Sequence, residues 1–232
     1  MNEIIIDGVI GGWDVDAQEV VSKLSSMSGD VTIKLNSVGG SVIDGITIYN
    51  ALKAYDKGEI IVEIGAVAAS IASYIALAGD LVVAKSNSVY MIHNAWLPAV
   101  GDFVELRKAA DISEGLSSII ANAYVAKTKM GKSDALSLMA KETFYYGAEM
   151  HEAGFVDEII NVDGDIDKTS AYSVTVESLK ACNNAVMEHE SLNYEAVAKL
   201  LPKEEVETPK VVDLSAQQRR SRELDLLTME VM

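Results

Sequence analysis

Cysteine is almost missing from the 232-residue sequence: Cys182 stands alone, which excludes an internal disulfide and a cysteine-rich zinc site. Basic residues are scarce as well. Nineteen Lys and Arg stand against 35 Asp and Glu, a formal charge of −16, so no extended Lys/Arg patch is available for nucleic-acid phosphates or anionic lipid. Neither nucleic acid nor membrane is expected as a partner. No run reaches the roughly 18 uninterrupted apolar residues of a membrane span, although 49% of the residues are apolar and mean hydropathy is +0.17. Apolar surface in that amount is expected to meet another subunit. The opening segment MNEIIIDGVIGGWD has no basic stretch ahead of its short apolar run and no small-residue cleavage site, so a cytoplasmic location is expected. Only three histidines are present, which narrows the search for a general base.

What is there reads as alternating strands and helices. EIIIDGVI (3–10) and VTIKLNS (31–37) are rich in β-branched residues and end at Gly, Asp or Asn, as strands do. Between them, DAQEVVSKLSSM (16–27) has apolar residues at helical spacing with a carboxylate in its first turn. SVIDGITIYNALKAY (41–55) predicts a second helix, followed by a strand in GEIIVEIGAVA, a short apolar helix in SIASYIALA, and strands in DLVVAK and SVYMIH. The order is that of an α/β fold with repeated crossovers. A long helix is predicted over 103–130, mildly interrupted at Gly115 and of the kind that projects toward a partner; SDALSLMA, GAEMHEAG and a strand FVDEII (155–160) follow. Residues 1–160 are expected to form the compact domain. Residues 161–232 change character to weakly helical, charged and Pro-containing sequence, and are expected to form a C-terminal extension.

Among the histidines, His151 sits between Glu149 and Glu152 on a short amphipathic helix, where a solvated residue is expected, and His189 lies in the extension. His93 ends an apolar strand, where α/β folds place functional side chains; a satisfied structural histidine is the alternative. Ser70, in GAVAASIASYIALAG (65–79), follows a strand and opens a helix. It reads either as an N-cap or as a nucleophile on a strand-to-helix turn, with Ala68, Ala69 and Ala72 kept small for substrate and helix N–H groups free for an oxyanion. Ser73, one turn inside the helix, reads as packing. LNSVGGSV (35–42) places two glycines between strand and helix, either a plain tight turn or a turn with its N–H groups exposed. It is not a phosphate loop, since no Gly-Lys-Ser/Thr follows. MGKS (130–133) is excluded too, because position 126 is Ala and the segment follows a helix.

Four of these segments, in order, resemble the ClpP family, the proteolytic subunit of the Clp protease, and its phage relatives. LNSVGGSVIDGITIYNAL is similar to the family's Asn-Ser-Pro-Gly-Gly turn and following helix, and GAVAASIASYIALAG to its Gly-x-Ala-Ala-Ser nucleophile turn. SNSVYMIHNAW is similar to the strand that ends in the catalytic histidine, and KETFYYGAEMHEAGFVDEI to the segment carrying the third triad member. The resemblance covers residues 3–160 and implies a spiral of β-β-α units, shared with the crotonases, from which a long helix projects. Carried over, Ser70 is the nucleophile, His93 the general base, and Glu142 the orienting carboxylate where most bacterial members have Asp. The N–H groups of Gly40 and Ile71 form the oxyanion hole, with Gly39 shaping the turn. No metal or cofactor is implied.

Val38 replaces the family's Pro, Ile71 its Met, and NAWLPAVGDFVEL lacks the glycine-rich run after the histidine. A start almost at the first strand and some seventy added residues after Asp157 resemble the ClpP-like head maturation (prohead) proteases of tailed phages and prophages. That resemblance implies an ATP-independent serine endopeptidase and homo-oligomeric ring, cleaving scaffold or capsid protein in the bacterial host cytoplasm inside an assembling procapsid, with no ATPase partner. Three alternatives are a cellular Clp subunit working with an ATPase unfoldase, an inactive structural ring protein, and a crotonase-type acyl-CoA enzyme. The retained Ser70 and His93 speak against the second, and the third does not use a Ser-His pair.

Overall fold

The computed structural model describes residues 2–12 and 14–162, and the predicted extension lies outside the described residues apart from its first two. The chain is a mixed α/β protein built on a largely parallel sheet. Strand β1 (Asn2–Ile10), helix α1 (Ala17–Ser26) and strand β2 (Val31–Gly40) form the first crossover unit. Asp16 caps α1 by accepting from Glu19 N at 2.9 Å, which satisfies one of the donors a helix start leaves over. Helix α2 (Val42–Lys53) is capped in the same way by Ser41, and strand β3 (Ile60–Ala69) and helix α3 (Ile71–Ala76) follow. Then come β4 (Leu81–Lys85), β5 (Val89–Ile92), α4 (Phe103–Thr128), α5 (Lys132–Ala140), β6 (Thr143–Tyr146), α6 (Glu149–Glu152) and β7 (Glu158–Ile160). No helix among the described residues is long and apolar enough to cross a membrane.

Strands β1, β2, β3, β4 and β7 lie side by side in parallel, with β3 central. One sheet face, bearing Ile4, Ile6, Ile33, Leu35, Val62 and Ile64, is buried; α1 and α3 pack on the sheet and α2 packs on both helices. Period-two alternation places Ile5 on the opposite, open face, where Lys34 pairs with Glu63.

Strand β3 divides its allegiance. Ile61–Ile64 pair with β4, whereas Val67–Ala69 pair with β5, so the strand changes neighbours around Gly65. The β2–β3 register also shifts between Leu35 and Ser37, and the Asn36 side chain fills the break by accepting from Ala66 N at 3.1 Å and Val67 N at 3.3 Å. Ser88 Oγ donates to the Gly65 carbonyl on the other side. Side chains thus take up peptide groups of β3 where its ladders to β2, β4 and β5 are interrupted.

The structure departs from the sequence reading in four places. LNSVGG is not a turn between strand and helix: β2 runs to Gly40, and Val9 and Ile10 pair with Gly39 and Gly40 after a register shift in β1. TFYY forms an unpredicted strand, β6, antiparallel to β5. The strand predicted over 155–160 shortens to Glu158–Ile160, because Phe155 and Val156 turn inward as buried core, Phe155 against the rings of Tyr90, Tyr124 and Tyr145. Gly115 does not interrupt α4, whose start carries a full capping box between Asp102 and Glu105.

Two helix glycines have opposite expected substitution effects. A Cβ on Gly45 in α2 would lie 2.1 Å from Ile71 Cγ1, whereas one on Gly115 meets nothing within 4 Å. Gly45→Ala should therefore cost about 1–3 kcal/mol by overpacking, and Gly115→Ala should stabilise by about 0.5–1 kcal/mol. Denaturant midpoints moving in opposite directions would bear this out; equal shifts would refute it.

Candidate active site

The end of β3, the start of α3, the end of β2 and the end of β5 converge on one cleft. It is lined by Gly40, Val42, Ser70, Ile71, His93, Asn94, Ala95, Trp96, Ile120 and Tyr124. Ser70 and His93, 23 residues apart in sequence, meet there with Ser70 Oγ 2.6 Å from His93 Nε2. The pairing of Ala69 with Met91 across β3 and β5 sets this approach, because each strand delivers its next residues to the same edge.

Ser70 occupies the N-cap position of α3 but does not cap it: its side chain makes no bond to the helix. Its backbone lies at φ 56°, ψ −130°, a region that residues with a Cβ rarely enter. Such a conformation costs about 1–3 kcal/mol and persists where its surroundings over-determine it. Here Ser70 N donates to Met91 O at 3.0 Å, and Ser70 O accepts from Ser73 N at 3.0 Å. The turn points the hydroxyl away from its own helix and toward the histidine. Ile71 is the first residue of α3, and its N–H belongs to those that a helix leaves without an intrahelical partner.

Gly39 and Gly40 hold β2 close to this turn. A Cβ on Gly39 would lie 2.6 Å from Ser70 Cβ, and one on Gly40 2.0 Å from Ile10 O, so side chains at either position would force the strand end away. Both have positive φ, 105° and 147°. Ser37 steadies the segment, donating to Gly8 O at 2.6 Å and accepting from Gly39 N at 3.1 Å.

His93 is partly buried, and desolvation holds its pKa below the usual histidine range, with the negative charge of Glu142 pulling the other way. The ring is therefore biased toward its neutral, proton-accepting form. Glu142 follows α5 at φ 52°, just ahead of β6. The β5–β6 register pairs Ile92 with Thr143, and continued by one residue it sets Glu142 opposite His93. Glu142 is exposed, and among the described residues no hydrogen bond joins it to His93; the influence is electrostatic.

His151 is exposed on α6, away from the cleft's lining, and His189 lies outside the described residues. Among the described residues no group of three His, Cys, Asp or Glu is arranged to hold a metal. Sequence reasoning missed Tyr124, Tyr90 and the part played by Ser73. Ser73 Oγ donates to Ser70 O at 2.5 Å and lies 2.7 Å from Tyr124 Oη, while Tyr90 Oη donates to Ser73 O. A serine within a run of small apolar residues carries no sequence mark of such partners, since Tyr124 is 51 positions away.

The family model described as Clp protease matches residues 10–163. The chain is 30% identical over 129 residues to the ATP-dependent Clp protease proteolytic subunit of Chlorella vulgaris, a match covering 55% of this chain and 64% of that protein. It is likewise 30% identical over 142 residues to the protein of the same name from Chaetosphaeridium globosum, covering 60% of this chain and 70% of the relative. With the family model matched over most of its length, the chain belongs to the Clp protease family.

Proposed function

We propose that the chain is a serine endopeptidase in which Ser70 forms an acyl-enzyme and His93 moves the proton. The observation that carries this is the 2.6 Å approach of Ser70 Oγ to His93 Nε2, made by a serine that forgoes its cap. With the ring neutral, Nε2 accepts the hydroxyl proton as Oγ attacks the peptide carbonyl, and returns it to the leaving amine; water then repeats the sequence on the ester. The N–H groups of Gly40 and Ile71 hold the oxyanion from two sides of the cleft, and Gly39 keeps the β2 end close enough for this. Glu142 is the third triad member, stabilising the imidazolium by its charge from across the β5–β6 pair. No metal or cofactor takes part.

The finer reading is a prohead maturation protease, ATP-independent, forming a homo-oligomeric ring and cutting scaffold or capsid protein inside an assembling procapsid in the host cytoplasm. Its supports are the segment after His93, which lacks the family's glycine-rich run, and the charged sequence of 164–232 that follows the family match. Residues 1–160 form the protease domain and 161–232 an extension that tethers the enzyme to its substrate shell or serves as scaffold. The exposed Phe103, Val104 and Leu106 on α4 suit contacts between subunits. A second reading, a cellular subunit fed by an ATPase unfoldase, is favoured by the names of the relatives.

A fluorophosphonate probe should label the wild-type chain and the Ser73→Ala variant, and fail to label Ser70→Ala. Labelling that survives loss of the Ser70 hydroxyl would remove the assignment. Addition of a Clp unfoldase and ATP to a folded substrate should leave its degradation unchanged; stimulation would favour the cellular reading.

The pH profile tests the histidine and its carboxylate. Neutral His93 is the active form, so activity should fall as pH drops through a pKa below about 6.5. Because the charge of Glu142 raises that pKa, Glu142→Gln should shift the acid limb to still lower pH and slow acylation roughly 10-fold or more. An acid limb that stays in place, or moves up, would exclude Glu142 from this role.

A further inference from the structure

We propose that Ser73 and Tyr124 are positioning residues for Ser70, a directed pair of hydroxyls that holds the Ser70 carbonyl and through it the aim of the nucleophile. The inference rests on the peptidase reading above for its kinetic consequence, and on geometry alone for its structural one.

Ser70 sits in a backbone conformation that does not persist unaided, so the direction of its Oγ depends on whatever fixes the peptide groups on either side. The preceding one is fixed by the β5 strand, through Ser70 N to Met91 O. The following one is fixed through the Ser70 carbonyl, which takes two donors, Ser73 N at 3.0 Å and Ser73 Oγ at 2.5 Å. A serine hydroxyl has a single proton. With that proton given to Ser70 O, Ser73 Oγ meets Tyr124 Oη, 2.7 Å away, only as an acceptor, so the order of donation is Tyr124 to Ser73 to Ser70.

Both residues are buried, Ser73 at 0% and Tyr124 at 1% exposure, and neither hydroxyl has water to fall back on. The Tyr124 ring is set edge-on against Phe155, 5.7 Å between centroids at 86°, which fixes where its hydroxyl points. Tyr90, whose ring also packs on Phe155, donates to Ser73 O and holds the same turn of α3 from the β5 side. The nucleophile is therefore braced from two directions: by β5 and by the buried flank of α4. An alanine would fill the Ser73 position in this small-residue helix without needing partners, yet the hydroxyl present is spent on the nucleophile's own carbonyl. Since Tyr124 reaches that carbonyl only through Ser73, removing both should cost no more than removing Ser73.

The test uses the full chain and an alkyl fluorophosphonate, with the maximal labelling rate separated from the half-saturating probe concentration. Ser73→Ala should lower the maximal rate about 10-fold and Tyr124→Phe about 3-fold, with half-saturation unmoved. The double variant should match Ser73→Ala. Labelling of both single variants at the wild-type rate, or losses that multiply in the double variant, would overturn the proposal. Tyr124→Phe keeps the ring and decides the matter if Ser73→Ala does not fold. Amide hydrogen exchange supplies the readout that needs no activity: residues 70–73 should exchange faster in both variants, with Ile33 and Leu35 unchanged. Should the wild type resist the probe while that exchange pattern appears, the brace stands and the peptidase reading falls; unchanged exchange at 70–73 would overturn the brace itself.

Discussion

The site depends on one strand having two neighbours. β3 lies against β4 along its first half and against β5 along its second, and only the second pairing carries Ser70 to the end of the strand that delivers His93. A strand that leaves its partner frees peptide groups from the ladder, and these need other partners. Asn36 and Ser88 supply them from either side of β3, and on the β2 side the Ser37–Ala68 pairing beyond Asn36 brings Gly39 up against Ser70.

From that divide the chemistry follows by geometry and solvation. The turn at Ser70 adopts a conformation that turns its hydroxyl outward, and it is stabilised by bonds to β5 and within α3 rather than by preference of its own. His93, partly buried, is kept poised to accept a proton because desolvation disfavours its charged form. The negative charge of Glu142, just ahead of β6, pulls the other way. A histidine whose charged form burial disfavours, 2.6 Å from a hydroxyl, is the arrangement that general-base catalysis requires.

Much of this was legible in the residues themselves. The β-branched runs and the amphipathic helices are local properties, and the corresponding elements lie where such patterns place them. β6 was overlooked although Thr, Phe, Tyr and Tyr are strand formers, because four residues between two helical segments give no alternation to read. The glycine pair read as a turn because Gly-Gly breaks regular structure; parallel pairing with β1 draws it into the sheet instead.

The sequence by itself determined the α/β order of elements, the scarcity of candidate bases, and the motifs that single out Ser70, His93 and the glycines before α2. Each is written in residue type and near-neighbour spacing. Only the tertiary structure decided that Ser70 faces His93 rather than its own helix, that Glu142 lies opposite His93 in the continued β5–β6 register, and that the Ser73 and Tyr124 hydroxyls meet behind the Ser70 carbonyl. Those outcomes depend on strand register and on hydroxyls brought together from distant parts of the chain, and neither leaves a mark at short range in the sequence.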